Sequence, residues 1–248
     1  MESNSRPGLP EAPTGPLYAA QVDDTGLPIE RAIPELRAAL SSQPSAVLVA
    51  APGSGKTTVV PLRLLSEPWL GDGKIVVLEP RRIATRAAAH RMAHLLGEPV
   101  GETVGYVTRG DRRVSPRTRI EVITEGVLTR RLQRDPELAS TGLVIFDELH
   151  ERNLQTDLGL ALALDARRTL RPDLRLLAMS ATIDADRIAA LLGGDDPAPV
   201  VVGEAAEYPV EIRWKPTRDR RQLVPHVAAT IREVVAAESG DVLVFLPG

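Results

Sequence analysis

The sequence predicts an α/β protein built on a parallel sheet with helices on both faces. Three observations carry that prediction. Apolar runs alternate with amphipathic stretches along most of the chain, the runs are continuous rather than alternating, and several give way to a helix through a Gly-rich, acidic or hydroxyl-bearing turn. Continuous Val/Ile/Leu runs mark strands covered on both faces, and alternation with helices marks βαβ units.

Taken in order, residues 1–28 are rich in Pro, Gly and Ser without periodicity and read as a disordered tail. An amphipathic helix is expected over 29–40. Strands are expected at "AVLVA" 46–50, "KIVVLE" 74–79, "RIEVIT" 119–124, "LVIFD" 143–147, "RLLAM" 175–179 and "PVVV" 199–202. Helices are expected between them at about 56–66, 81–96, 126–134, 154–169 and 184–192. The pattern changes after Gly203. "YPVEIRW" 208–214 reads as an alternating strand, 222–237 as a helix, and "DVLVFLPG" 241–248 as the start of another buried strand. We therefore expect a first domain over 29–203 and the truncated start of a second over 204–248.

The chain has 248 residues, 43% of them apolar, and a net charge of −3. Such a balance excludes a wholly basic coat protein while leaving room for a local basic groove. Without cysteine, disulfides and thiolate zinc sites are excluded. No apolar run is long enough to cross a membrane and no signal pattern opens the chain, so a cytoplasmic protein without membrane association is expected. Of the 30 basic residues only Lys56, Lys74 and Lys215 are Lys, which makes a Lys at a demanding position informative.

Lys56 stands in such a position. "AAPGSGKTT" 50–58 fits a P-loop, with Ala50 where the first Gly is usual. An apolar strand precedes it and a helix follows. Ala51, Pro52, Gly53, Ser54, Gly55, Lys56, Thr57 and Thr58 would wrap the phosphates of a nucleotide. Gly53 and Gly55 allow backbone N–H groups to curl around phosphate oxygens at the helix N-terminus. Lys56 would reach the β- and γ-phosphates, and the Thr57 hydroxyl would ligate Mg²⁺.

"VIFDELHER" 144–152 poses the complementary problem, a buried strand that ends in Asp147, Glu148 and His150. Buried acids need a counter-charge, and a metal–nucleotide complex at the P-loop supplies one. Asp147 would then hold Mg²⁺, with Glu148 at its side orienting and deprotonating the attacking water. The strand carrying them is expected close to the P-loop strand. His150 has no metal-ligand spacing, and a hydrogen-bonded loop histidine is its plain alternative. His90, His94 and His226 read as surface residues.

Further motifs sit at other strand ends. Arg81 and Arg82 in "EPRRIA" 79–84 could grip a phosphate backbone, or be an exposed pair at a helix start. Thr124 in "TEGVLTR" 124–130 is a candidate N-cap or backbone contact. "MSATID" 179–184 places Ser180 and Thr182 beside a strand end, Thr182 with capping as its alternative. The cluster "RGDRRVSPRTR" 109–119 reads either as the wall of a nucleic-acid groove or, more commonly, as a solvated loop. Aromatics make up only 3% of the chain. Any nucleic-acid recognition must then rest on sequence-independent backbone contacts to RNA or DNA rather than base stacking.

In that order, "APGSGKTT", "EPRRIA", "TEGVLTR", "DELHER", "SAT" and "FLPG" resemble motifs I, Ia, Ib, II, III and the start of IV of superfamily 2 helicases. "DELH" is the DExH form, and the set is similar to the DEAH/RHA group over about residues 28–248. "VLTRRLQRDPEL" 127–138, "DELHERNLQTDL" 147–158 and "ESGDVLVFLPG" 238–248 extend the resemblance. It implies a RecA-like P-loop NTPase domain followed by the start of a second RecA-like domain, and ATP hydrolysis coupled to unwinding of RNA or DNA. It also implies that His150, Ser180 and Thr182 couple the nucleotide site to domain closure. By the same resemblance Arg81, Thr124 and Gly126 touch the nucleic-acid backbone, and Arg91, or else Arg86, stacks on adenine. The family's motifs V and VI have no counterpart in these residues, so a fragment is expected. A non-catalytic nucleotide- and nucleic-acid-binding P-loop module is the competing reading.

Overall fold

The computed structural model describes residues 24–151, 153–181, 185–204, 210–217 and 220–246. A 3-10 turn, Pro28–Ala32, runs into α1, Ile33–Ser42. Pro28 and Pro34 both fall in first turns, where a missing N–H breaks no helical bond. Residues 24–27, expected in the tail, lead into this turn, and Leu27 packs against the core. Then follow β1 (Ser45–Val49), α2 (Lys56–Leu64), β2 (Lys74–Leu78), α3 (Arg82–Leu95), β3 (Val104–Thr108), β4 (Asp111–Arg113), β5 (Ile120–Ile123), α4 (Glu125–Arg134) and β6 (Thr141–Phe146). The unit closes with α5 (Leu154–Thr169), β7 (Arg175–Ser180), α6 (Ala185–Gly193) and β8 (Val200–Val202).

The eight strands form one sheet in the order β4-β3-β5-β2-β6-β7-β1-β8. Every pairing is parallel except β3 with β4. The predicted class is therefore observed, a mostly parallel sheet covered by helices. Side chains alternate across it with the period of two that strands impose. Ile75 and Val77 of β2 join one core with Leu36, Val60 and Met92, while Val76 and Leu78 join the other with Leu128, Leu160 and Leu192. In β6, Leu143 and Ile145 face the first core, Val144 and Phe146 the second.

Parallel pairing also puts the strand ends in register. Leu78 lies opposite Phe146 and Ile123, Phe146 opposite Ala178, and Val49 opposite Ser180. The residues just past these ends share one edge of the sheet, where open α/β folds place their ligands.

Several expectations need correction. The cluster 109–119 is not wholly loop: Asp111–Arg113 pairs with β3 as a hairpin, turning through Gly110 at φ +81. The acidic strand β6 does lie close to β1, as expected, with only β7 between them. A second compact unit begins after Ala206. It holds a 3-10 turn, Arg220–Gln222, and α7, Leu223–Ala237. The strands expected at 208–214 and 241–248 do not form over their described residues, 210–214 and 241–246. A strand needs a paired neighbour for its backbone groups, and none stands beside them among the described residues. No described helix is long and apolar enough to cross a membrane.

Candidate nucleotide site and the adjoining basic edge

The loop between β1 and α2 is built around two glycines with positive φ, Gly53 at +77 and Gly55 at +96. A side chain at Gly55 would be strained and would also meet Leu27 Cδ1 at 2.8 Å. Backbone bonds from Ser54 N to Ala51 O (3.2 Å) and from Ile29 N to Ser54 O (3.2 Å) fix the curl. Gly55 is the N-cap of α2 and offers no capping side chain. The first N–H groups of α2 lack partners within the helix, and its dipole favours an anion there. Ser54 Oγ is buried and has no hydrogen-bond partner among the described residues.

Lys56 opens α2 with a buried side chain, and its Nζ lies 3.0 Å from Glu148 Oε1. Thr57 donates its hydroxyl to Asp147 Oδ2. The counter-charge for the acidic strand end is thus Lys56, one strand removed. Asp147 is fully buried, and burial pushes its carboxyl above the ordinary range. The Thr57 hydrogen bond and Lys56 oppose that shift, while Glu148 adds to it. Glu148 sits at φ +52, a left-handed conformation uncommon for a residue with a side chain. Its N–H donates to Asp147 Oδ1 at 2.9 Å and its carbonyl accepts from Glu151 N at 2.9 Å, which closes the 3-10 turn Leu149–Glu151. His150 Nδ1 lies 3.3 Å from Glu148 Oε2 and 3.4 Å from Ala181 N. The histidine therefore bridges the acidic turn and the end of β7.

A third acid belongs to this cluster. Glu79, one residue past β2, is 5% exposed. Burial raises its pKa to about 8, reinforced by the charges of Asp147, Glu148 and Glu151 and offset in part by Arg81. Asp147 N donates to Leu78 O at 3.1 Å, which places the two strand ends side by side.

The hydroxyl of Thr57 and the carboxylate of Asp147 are hard oxygen donors of the kind Mg²⁺ takes. With the unpartnered Ser54 hydroxyl and the acid-rich edge, the donor set suits a metal–phosphate ligand.

The same edge turns basic beyond β2. Arg81, Arg82, Ile83, Ala84 and Arg86 line an open cleft of about 810 Å³. Arg81 Nη2 pairs with Glu151 Oε1 at 2.7 Å. Arg82 Nη2 donates to Arg109 O at 3.0 Å, and Arg86 pairs with Asp111 at 2.7 Å, so the β3–β4 hairpin is tied to α3. Arg91 is exposed on the same helix. Thr124 is the N-cap residue of α4 by position, but its side chain makes no capping bond, contrary to that expectation. Its carbonyl instead accepts from Val127 N at 2.9 Å. Gly126 is exposed in the first turn, and a Cβ there would meet nothing within 4 Å. Glu125 accepts from Thr156 at 2.9 Å, locking α4 to α5.

With this geometry in view, comparisons with known proteins decide the family. Residues 30–191 match the DEAD/DEAH box helicase family. The chain belongs to that family. It is 50% identical over 224 residues to the ATP-dependent RNA helicase HrpB of Escherichia coli K12, covering 90% of this chain and 27% of that protein. It is 34% identical over 226 residues to an ATP-dependent RNA helicase HrpA homolog of Haemophilus influenzae, covering 90% of this chain and 17% of that protein. A crystal structure of the E. coli DEAH/RHA helicase HrpB matches with a TM-score of 0.81 at 51% identity, over 90% of this chain and 28% of that one. The chain thus spans between about a sixth and three tenths of the length of these relatives.

In this DEAD/DEAH box domain the structure brings Lys56, Thr57, Asp147, Glu148 and His150 together, and sets Arg81, Arg82, Thr124 and Gly126 along the other half of the edge. Ser180 is buried at the end of β7, and its carbonyl accepts from Ala50 N at 3.0 Å. Thr182 lies outside the described residues. Glu79 is the residue that sequence reasoning missed. Its signal was available, because "VVLE" and "VIFD" are both buried runs that end in an acid.

Proposed function

We propose that this chain forms the ATP-binding wall of an ATP-dependent DExH-type RNA helicase. The supporting observation is the meeting of Lys56, Thr57, Asp147 and Glu148 from two separate turns at one end of the sheet. Lys56 is the buried cation for the β- and γ-phosphates of ATP. Thr57 and Asp147 hold Mg²⁺, which when bound neutralises charge on the phosphate oxygens. As phosphate draws Lys56 away, the Glu148 carboxylate becomes available to take a proton from the attacking water. His150, in contact with both Glu148 and the end of β7, positions that carboxylate. Water oxygen bonds to the γ-phosphorus, the bond to the β-phosphate oxygen breaks, and the proton ends on Glu148. Arg81, Arg82, Thr124 and Gly126 face the backbone of RNA, the substrate class named for the relatives.

The test is calorimetric titration with Mg-ATP combined with a turnover assay. Lys56→Ala should weaken binding about 10- to 100-fold, the worth of a charge-assisted hydrogen bond. Glu148→Gln should bind at least as tightly, since it releases Lys56, yet lose turnover by about 10²–10⁴-fold. Unchanged affinity in the first variant or wild-type turnover in the second would contradict these roles.

A further inference from the structure

The acidic turn carries two carboxylates three residues apart, and each is paired with a cation. Glu148 holds Lys56 at 3.0 Å, and Glu151 holds Arg81 at 2.7 Å. The first pair lies inside the nucleotide pocket, with Lys56 buried. The second lies at the outer edge, where the Arg81 side chain is 71% exposed and Glu151 33% exposed. Between them runs one 3-10 turn, closed by the bond from Glu151 N to Glu148 O. Whatever loosens Glu151 therefore loosens one end of the turn that sets the strained backbone of Glu148 and carries His150.

Arg81 is the N-cap residue of α3 and lines the open cleft with Arg82 and Arg86. Arg82 reaches the Arg109 carbonyl, and Arg86 is paired with Asp111. A guanidinium fork binds carboxylate and phosphate through the same geometry, so the two anions compete for Arg81. An exposed pair of this kind contributes little and is screened by salt, which makes it easy to exchange.

We propose that Glu151 is an internal stand-in for a nucleic-acid phosphate at Arg81, exchanged for that phosphate when the backbone site fills. Glu151 is then a positioning residue: its release tells the turn bearing Glu148 that the cleft is occupied. The inference rests on the reading of this edge as a nucleic-acid backbone site.

The experiment is a double-mutant cycle read by fluorescence anisotropy with a labelled oligouridylate, on the full chain at low ionic strength without nucleotide. Glu151→Gln should tighten binding about two- to fivefold, the range an exposed ion pair supports. Arg81→Ala should weaken it, and in that background Glu151→Gln should have almost no effect. Equal tightening by Glu151→Gln with and without Arg81 would overturn the inference, because it would reflect only the loss of a repelling charge. No tightening at all would overturn it as well. Should Arg81→Ala leave affinity unchanged, the backbone-site reading itself falls, and the inference with it.

Discussion

Glu79 lies just past the end of β2, and Glu121 lies within the neighbouring strand β5; each is 5% exposed. Burial pushes both carboxyls up, but only Glu121 has cations that reverse the shift, whereas Arg81 offsets that of Glu79 only in part. Lys74 Nζ stands 2.7 Å from Glu121 and Arg131 grips its other oxygen, and together they hold the carboxyl below its ordinary range. Glu79 faces Asp147, Glu148 and Glu151 instead, and is pushed up to about 8. Equal burial thus leads to opposite ionisation. Where a buried acid is matched by side chains of the chain itself, it serves the fold: Glu121 ties β2, β5 and α4 together. Where acids outnumber their cations, as at the carboxyl end of β2 and β6, the arrangement supports the proposed binding of a positive ligand.

Removing the matched acid should have the largest effect on stability. Glu121→Gln leaves two cations facing a neutral amide and should cost about 3 kcal/mol, the low end for breaking a buried pair, because Lys74 and Arg131 keep some solvent. Urea unfolding measures it. A change below about 0.5 kcal/mol, the level of an ordinary surface substitution, would erase the distinction between the two carboxylates.

Removing the unmatched acid should act with the opposite sign. Glu79 keeps its proton in the folded chain up to about pH 8, whereas an unfolded chain releases it near the ordinary 4.5. Between those values the folded state binds more protons, so stability falls as pH rises through the window. Glu79→Gln removes that loss. The variant should be more stable than wild type at pH 8.5 by on the order of 2 kcal/mol, and so melt higher, but differ little at pH 5. An equal or lower melting temperature at the higher pH would show that Glu79 is not ionised against its surroundings.

The contrast also explains what the sequence made legible. Strands β1, β2, β5, β6, β7 and β8 are legible because each carries a short, mainly apolar run, buried except at the edge strand β8, where Val202 is exposed. The β3–β4 hairpin is not, since "VGYVTRGDRR" holds Gly105 within one strand and three charged residues in the other. Charge along an edge strand reads as loop. Lys56 and Asp147 stood out because their chemistry is local to one motif each. Glu79 did not, because a single acid after a strand looks like a turn until the pairing of β2 with β6 sets it beside Asp147. Thr124 has the right residue type for a side-chain cap, but the carbonyl rather than the hydroxyl makes the bond to α4.

On the proposed reading, Mg²⁺ arriving with the nucleotide would supply further positive charge to the acidic edge, chiefly through Asp147. The direct measurement is the thermal shift given by ATP with Mg²⁺ and by ATP with a chelator, for the wild-type chain and for Asp147→Asn. A ligand stabilises in proportion to its preference for the folded state. Wild type should gain clearly more stability from ATP with Mg²⁺ than from ATP with chelator, and Asp147→Asn should lose that increment while still responding to ATP. An equal shift with and without Mg²⁺ in the wild type, or a full Mg²⁺ increment in Asp147→Asn, would contradict the account.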